Sequence, residues 1–199
     1  ILFRTKLSEN LFKGLSPWMQ KLPGGLIHVN VVGCALFAAI SGSSAATVAT
    51  VGKMSIPELR KRKYPEKILL GSLAGSGTLG LLIPPSIILI IYGVTVQESI
   101  AKLFIAGIFP GIMIALIFMS YVIIWSLINH KIMPKVYETS SFLDKIKKSK
   151  QLLPVILLIL GVIGSIYTGV ATATEAASLG VVGALTLSYF QKSLNLKTF

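Results

Sequence analysis

Hydrophobic and charged positions segregate along this chain. Four stretches, 22–52, 68–97, 103–130 and 151–190, contain no Asp, Glu, Lys or Arg other than Glu175. The basic residues gather between them: Arg4, Lys6, Lys13 and Lys21; Lys53, Arg60–Lys63 and Lys67; Lys102; Lys131, Lys135, Lys145, Lys147, Lys148 and Lys150; and finally Lys192 and Lys197. An apolar run of about 20 residues is long enough to span the hydrocarbon core of a bilayer. The pattern therefore predicts an all-α integral membrane protein, a polytopic helical bundle, with the basic clusters on the cytoplasmic side.

Threading the chain by that rule places 53–67 inside as a basic cytoplasmic loop. Stretch 68–97 then crosses outward, the turn 97–102 lies outside, and 103–130 returns as one transmembrane helix. Residues 131–150 form a second basic cytoplasmic or interfacial loop. Stretch 151–190 is too long for one crossing and divides near Gly169–Thr174 into two short transmembrane segments, leaving 191–199 as a cytoplasmic tail. Residues 1–21, with Trp18, read as a cytoplasmic amphipathic arm.

Two stretches break the simple pattern. Stretch 22–52 is basic on both flanks, so a single crossing would put one basic cluster outside. Charge parity favours a re-entrant hairpin turning at Ile40–Thr47 over one ordinary span with a Ser/Gly packing face. Stretch 68–97 contains Gly75-Ser76-Gly77-Thr78-Leu79-Gly80 and then Pro84-Pro85-Ser86. Two prolines remove two backbone donors and leave carbonyls unpaired. Such carbonyls are costly in an apolar interior unless something binds them, and a desolvated cation suits them. This predicts a discontinuous transmembrane helix, the device by which many secondary transporters bind ions and substrate. Two breaks in adjacent segments, both rich in Ser, Thr and Gly, point to a site.

Composition sharpens this reading. Of the 199 residues 53% are hydrophobic and 13% charged, and the mean hydropathy is +0.79. A soluble domain carries about 25% charged residues, which argues against a soluble enzyme. The net charge of +12 is a property of the loops, so it does not imply nucleic acid. The single cysteine, Cys34, excludes an internal disulfide. The chain opens on Ile1 and shows no signal peptide in 1–21, so the natural start is expected upstream.

Other motifs are weaker. Gly75–Gly80 fits G-x-G-x-x-G, but the prolines that follow forbid the helix a dinucleotide site needs. His28 and His130 read as interfacial residues and make no metal site. Ser41-Gly42-Ser43 lacks a base within a span, so an intramembrane hydrolase is not supported. Glu175 is either an intramembrane functional carboxylate or the first-turn acid of a helix capped by Thr172 or Thr174. Ser141 and Asp144 form a possible capping box for an interfacial helix over 140–150, with Phe142, Leu143 and Ile146 toward lipid. Gly71/Gly75 and Gly107/Gly111 have small-residue spacing for helix packing.

Four ordered segments carry a family resemblance: AAISGSSAATVATVG (38–52), GSGTLGLLIPPSIILIIYG (75–93), KLFIAGIFP (102–110) and TATEAA (172–177). The chain resembles the large permease of tripartite ATP-independent periplasmic (TRAP) transporters. The resemblance implies an inverted-repeat fold of the ion-transporter type, with 151–190 opening the second repeat. It also implies a multi-pass subunit of the bacterial inner membrane that is no enzyme and needs no cofactor. Sodium would be the coupling ion, and the transport domain would move like an elevator. The implied partners are a small membrane subunit, a periplasmic binding protein, the lipid bilayer and an organic-anion substrate such as sialic acid, a C4-dicarboxylate or a sugar acid, with no nucleic acid.

Carried over residue by residue, the resemblance places a sodium site at Ser41 and Ser44 and at the carbonyls of Gly80, Ile83 and Pro84. It puts Ser43, Thr47, Thr78, Pro85 and Ser86 near substrate. Many relatives have Asp at Thr47 and Pro at Ile88 and Ala173, and a family member is much longer. Alone this chain is not expected to transport, and a non-transporting scaffold or assembly fragment of such a complex is the alternative reading.

Overall fold

A computed structural model describes residues 7–134 and 142–190, and every regular element among them is helical. The order is α1 (Leu7–Met19), α2 (Ile27–Ser41), α3 (Ser44–Lys61), α4 (Glu66–Gly77), α5 (Ile87–Val96), α6 (Ile100–Ile128), α7 (Phe142–Ser149), α8 (Leu153–Tyr167) and α9 (Ala173–Phe190), with short 3-10 turns at Thr78–Leu81, His130–Ile132 and Lys150–Leu152.

Helix α2 sits at the centre. It is apolar all round, as a helix enclosed by neighbours must be, and α1, α3, α4 and α6 surround it. Leu11, Ile27, Val29, Val51, Leu59 and Leu69 make the middle of this core. Asn30 within it bonds across helices. Asn30 Nδ2 donates to Leu69 O (3.2 Å) and to Ser72 Oγ (3.0 Å), pinning α2 to α4.

Helix α6 behaves oppositely. Its 29 residues extend about 43 Å at about 1.5 Å per residue, enough to cross a core about 30 Å thick. Large apolar side chains lie exposed along it, among them Phe109 at 76%, Ile117 and Ile128. The run Phe142–Tyr167 is likewise long and apolar enough to cross a membrane. Such faces are normal toward lipid and unusual toward water.

Several boundaries differ from those the sequence predicts. Helix α3 continues to Lys61, so the first part of the basic segment 53–67 is helical. It ends in a turn where Tyr64 N bonds Leu59 O and Lys63 takes φ 60°. The Tyr64 hydroxyl accepts from Leu26 N (3.1 Å), tying this turn to the start of α2. His28 is fully buried within the chain. Its Nε2 bonds Pro23 O (2.7 Å), because the Gly24–Gly25 turn brings α6 close over it through Val122 and Ser126. His130 is exposed.

The last stretch divides at residues 168–172, around Gly169, into α8 and α9, which pack on each other. A helix, α7, forms over Phe142–Ser149, while Ser141 and the tail 191–199 lie outside the described residues. Helix α7 docks on α1: Trp18 Nε1 donates to Ser149 Oγ (2.7 Å), and Trp18 meets Phe142 edge to face at 6.4 Å.

Candidate functional site

The two interruptions meet. Helix α2 ends at Ser41 because Gly42 adopts the left-handed conformation (φ 59°), its N–H closing the last turn on Ala38 O at 3.0 Å. Extended Ser43 then caps α3, its hydroxyl accepting from Ala46 N at 3.4 Å. Gly42 and Ser43 alone separate the two helices, which pack against each other.

The second interruption follows α4. A 3-10 turn over Thr78–Leu81 leads into an irregular segment with a cis Pro84–Pro85 bond, and α5 restarts after Ser86. In a continuous helix the Gly80 and Leu81 carbonyls would take N–H groups from residues 84 and 85, and both are proline. The Ser86 hydroxyl replaces one of these bonds, donating to Leu81 O at 2.6 Å. Among the described residues Gly80 O has no such replacement.

The tip of the hairpin lies directly on this break. Ile87 N donates to Gly42 O at 3.3 Å. A methyl group on Gly42 would sit 2.7 Å from Pro85 O, and one on Gly80 would sit 2.8 Å from both Ser43 C and Ser44 N. Backbone therefore touches backbone, and only glycine permits it. Gly77 is likewise closed by the Val48 side chain. From behind, Gly107 and Gly111 of α6 let that helix press onto the break, a methyl at either falling 2.9 Å from Leu82 O or Ile83 Cγ1. That spacing thus serves contact with an irregular segment rather than with a helix, whereas Gly71 has nothing within 4 Å.

Most of the residues singled out by the sequence converge here. Ser41 Oγ shares a hydrogen bond with Thr47 Oγ1 (2.8 Å) and donates to Ser43 O (3.3 Å), so the tip is braced by its own hydroxyls. Thr47 and Ser86 are fully buried. Ser44 Oγ is buried without a hydrogen-bond partner. Thr78 points elsewhere: it is exposed and its hydroxyl turns back onto Gly75 O at 2.7 Å. Glu175 is far along the chain at the start of α9 and forms a capping box. Its Oε2 accepts from Thr172 N (2.8 Å) and Thr172 Oγ1 (2.9 Å), while Glu175 N donates to Thr172 Oγ1 (3.3 Å).

A cavity of about 460 Å³ adjoins the junction. Ser41, Gly42 and Thr50 line it from the hairpin and Pro85 and Ser86 from the break, and Val162 and Gly180 close it from α8 and α9. Its lining carries no charged side chain, although the N-terminal ends of α3 and α5 contribute partial positive charge nearby. An orphaned hydroxyl at Ser44, a carbonyl at Gly80 without a donor and the carbonyls of Ile83 and Pro84 in irregular backbone form an all-oxygen set. Such a set fits a small hard cation. Gly42 and the Gly107/Gly111 pair are the members that motif reasoning passed over as site residues. Their signal was small residues at the two interruptions and at i, i+4 in the helix that follows.

The family model described as "Tripartite ATP-independent periplasmic transporter, DctM component" matches residues 1–199. The C4-dicarboxylate TRAP transporter large permease protein DctM of Pseudomonas aeruginosa is 40% identical over 159 residues, covering 80% of this chain and 36% of that protein. The isethionate TRAP transporter permease protein DctMQ of Oleidesulfovibrio alaskensis is 36% identical, covering 92% of this chain and 29% of its own. The sialic acid TRAP transporter permease protein SiaT of Haemophilus influenzae is 35% identical, covering 96% and 31%. The chain thus spans about a third of the length of these relatives. With segments 38–52 and 75–93 meeting at one backbone junction and the match running end to end, the chain belongs to the DctM family, the large permeases of TRAP transporters.

Proposed function

We propose that this chain supplies one cation site to the large permease of a sodium-coupled importer in the bacterial inner membrane. The permease takes up a small organic acid handed over by a periplasmic binding protein and works beside a small membrane subunit. Relatives named for C4-dicarboxylate, isethionate and sialic acid support an organic-anion substrate. The observation that carries the reading is the contact of the Gly42–Ser44 tip with the Gly80–Pro85 break, where the buried Ser44 hydroxyl lacks a protein partner and Pro84 denies the Gly80 carbonyl its helical donor.

Sodium bound by Ser41, Ser44 and the carbonyls of Gly80, Ile83 and Pro84 would satisfy those groups and lock tip to break. The hairpin and the broken helix would then move as one body, as an elevator-type transport domain requires. Ser43, Thr47, Pro85 and Ser86 border the adjoining cavity or brace its wall and would shape the substrate side, with Thr78 outside it.

The test is sodium binding by the chain in nanodiscs, followed by 23Na relaxation or calorimetry with potassium as control. Saturable, sodium-selective binding that drops at least tenfold in Ser44→Ala combined with Ser41→Ala is expected. Sodium uptake indistinguishable from potassium, or unaffected by the two changes, overturns the site. In a full-length permease carrying this segment, uptake of an organic acid is expected to require sodium.

A further inference from the structure

The cavity of about 460 Å³ beside the hairpin tip has a wall that narrows what it can hold. Its size suits a small organic ligand. Most of the wall is hydrocarbon, from Phe37, Ile40, Ile90, Leu158, Ile159 and Val162, and no charged side chain lines it. Three hydroxyl residues reach it, Ser41, Thr50 and Ser86. Two already donate within the protein, Ser41 Oγ to Ser43 O (3.3 Å) and Ser86 Oγ to Leu81 O (2.6 Å). Thr50 differs. It is 2% exposed and lines the cavity, and among the described residues its hydroxyl has no hydrogen-bond partner. A helical threonine often bonds a carbonyl one turn back, as Thr95 and Thr186 do here. Thr50 leaves its hydroxyl to the cavity.

The other polar resource is the start of α5, where Pro85, Ser86 and Ile87 line the cavity. The Ser86 side chain does not cap this helix, because its hydroxyl is turned to Leu81 O. Ile87 N donates to Gly42 O and Ile90 N to Ser86 O. Between them, Ile88 N and Leu89 N have no acceptor among the described residues. Open N–H groups at the positive end of a helix suit an anion, and the hydrocarbon region offers no water in its place.

We propose that this cavity binds an aliphatic monocarboxylate, its carboxylate served by the open start of α5 and the Thr50 hydroxyl and its alkyl body set against Phe37, Ile90 and Val162. The proposal names the substrate class of the importer proposed above and rests on that reading. One carboxylate matches the donors present. A second carboxylate, or a row of hydroxyls, would lie unpaired against hydrocarbon, which is costly. The cavity therefore favours an acid less polar than those for which the C4-dicarboxylate and sialic acid relatives are named.

The test is calorimetric titration of the 199-residue chain in nanodiscs, in sodium and in potassium, with empty nanodiscs as the blank. The probes are 4-methylpentanoate, succinate, N-acetylneuraminate and the uncharged 4-methylpentanol. Saturable binding of 4-methylpentanoate, at least about tenfold tighter than that of the other probes, is expected. Thr50→Val keeps the shape and removes the hydroxyl, and should weaken binding roughly tenfold, while Thr50→Ser should restore it. Gly180→Leu fills the cavity from α9 and should abolish binding with helical circular dichroism intact.

Succinate or N-acetylneuraminate binding as tightly as 4-methylpentanoate overturns the proposal and leaves the importer standing. Equal binding of the alcohol overturns the carboxylate site. So does a Thr50→Val variant within about twofold of the wild type, or a chain that binds sodium selectively and none of the acids. Absence of selective sodium binding, with the same order of probes and the same dependence on Thr50 in potassium, sinks the sodium site alone and supports the cavity's preference.

Discussion

The hairpin–break junction and the α8–α9 pair are both built from apolar helices rich in glycine, yet backbone meets backbone only at the first, while in the second Gly183 faces the Leu158 side chain. At the junction Gly42 and Gly80 are where main chain meets main chain, and Gly107 and Gly111 admit the break against α6. In α8, Gly161 and Gly164 have nothing within 4 Å. Polar groups differ in the same sense. Asn30 and Ser76 bridge α2 and α4, whereas Ser165, Thr168, Ser178 and Thr186 bond only carbonyls of their own helix three or four residues back. One region is thus held by specific contacts between elements and can position ligand atoms. The other is held as a surface to be covered by lipid or by further protein.

The largest expected effect breaks this contrast directly. Gly80→Ala drives a methyl into the Ser43–Ser44 backbone, and neither side has a flexible end to yield. Such overpacking costs about 1–3 kcal/mol, read as a lowered denaturation midpoint in detergent, with loss of sodium binding. Gly161→Ala meets open space and gains helix propensity worth up to about 1 kcal/mol, so its midpoint should hold or rise. Equal losses at the two positions would erase the distinction. A smaller effect is expected from Asn30→Ala, which cuts the bridge from α2 to α4 and should cost about 0.6–2 kcal/mol, while Ser178→Ala in α9 should be silent on the same assay.

Next comes Glu175→Gln. It removes the charge from the capping box with Thr172, seen as slightly faster amide exchange at the start of α9 and not at the hairpin tip. A catalytic or ion-binding role for Glu175 would instead show as altered sodium binding.

The smallest effect is pH-dependent. Arg60 donates to both oxygens of Glu66, at 2.7 and 3.2 Å, and this hydrogen bonding holds the Glu66 carboxyl below its usual range. A depressed folded value means that the pair contributes stability above the ordinary carboxylate range, near about 4.3, and loses it as pH falls through the lowered value. Both side chains are exposed, so the contribution is small. Thermal melts of wild type and Glu66→Gln should therefore differ slightly at neutral pH and converge in acid. Divergence in acid would contradict the pairing.

Much of the architecture was legible in the chain. Charge clusters separated the apolar stretches. Gly42-Ser43 and Thr78–Ser86 were visible as residues that cannot continue a helix, and Gly169 marked the last turn. The site was legible in part. Ser41, Ser44, Gly80, Ile83 and Pro84 were named from the motifs they share with TRAP permeases, and the structure brings them to one junction. Thr78 is exposed and its hydroxyl bonds its own helix at Gly75 O. The burial of His28 was hidden, because its place at the edge of an apolar stretch says nothing of the Gly24–Gly25 turn that folds α6 over it. The docking of α1 on α7 was equally hidden: Trp18 and Ser149 lie far apart in the chain, and no local pattern links them.

The sequence by itself determined where helices lie, where they must break and which segments stay with water. These are local questions of donors lost at proline, backbone freedom at glycine and the cost of charge in an apolar medium. Only the tertiary structure decided which breaks face each other and which glycines become contacts. Those outcomes depend on close packing between distant faces that are chemically alike, and shape complementarity among apolar surfaces leaves no signature in the order of residues.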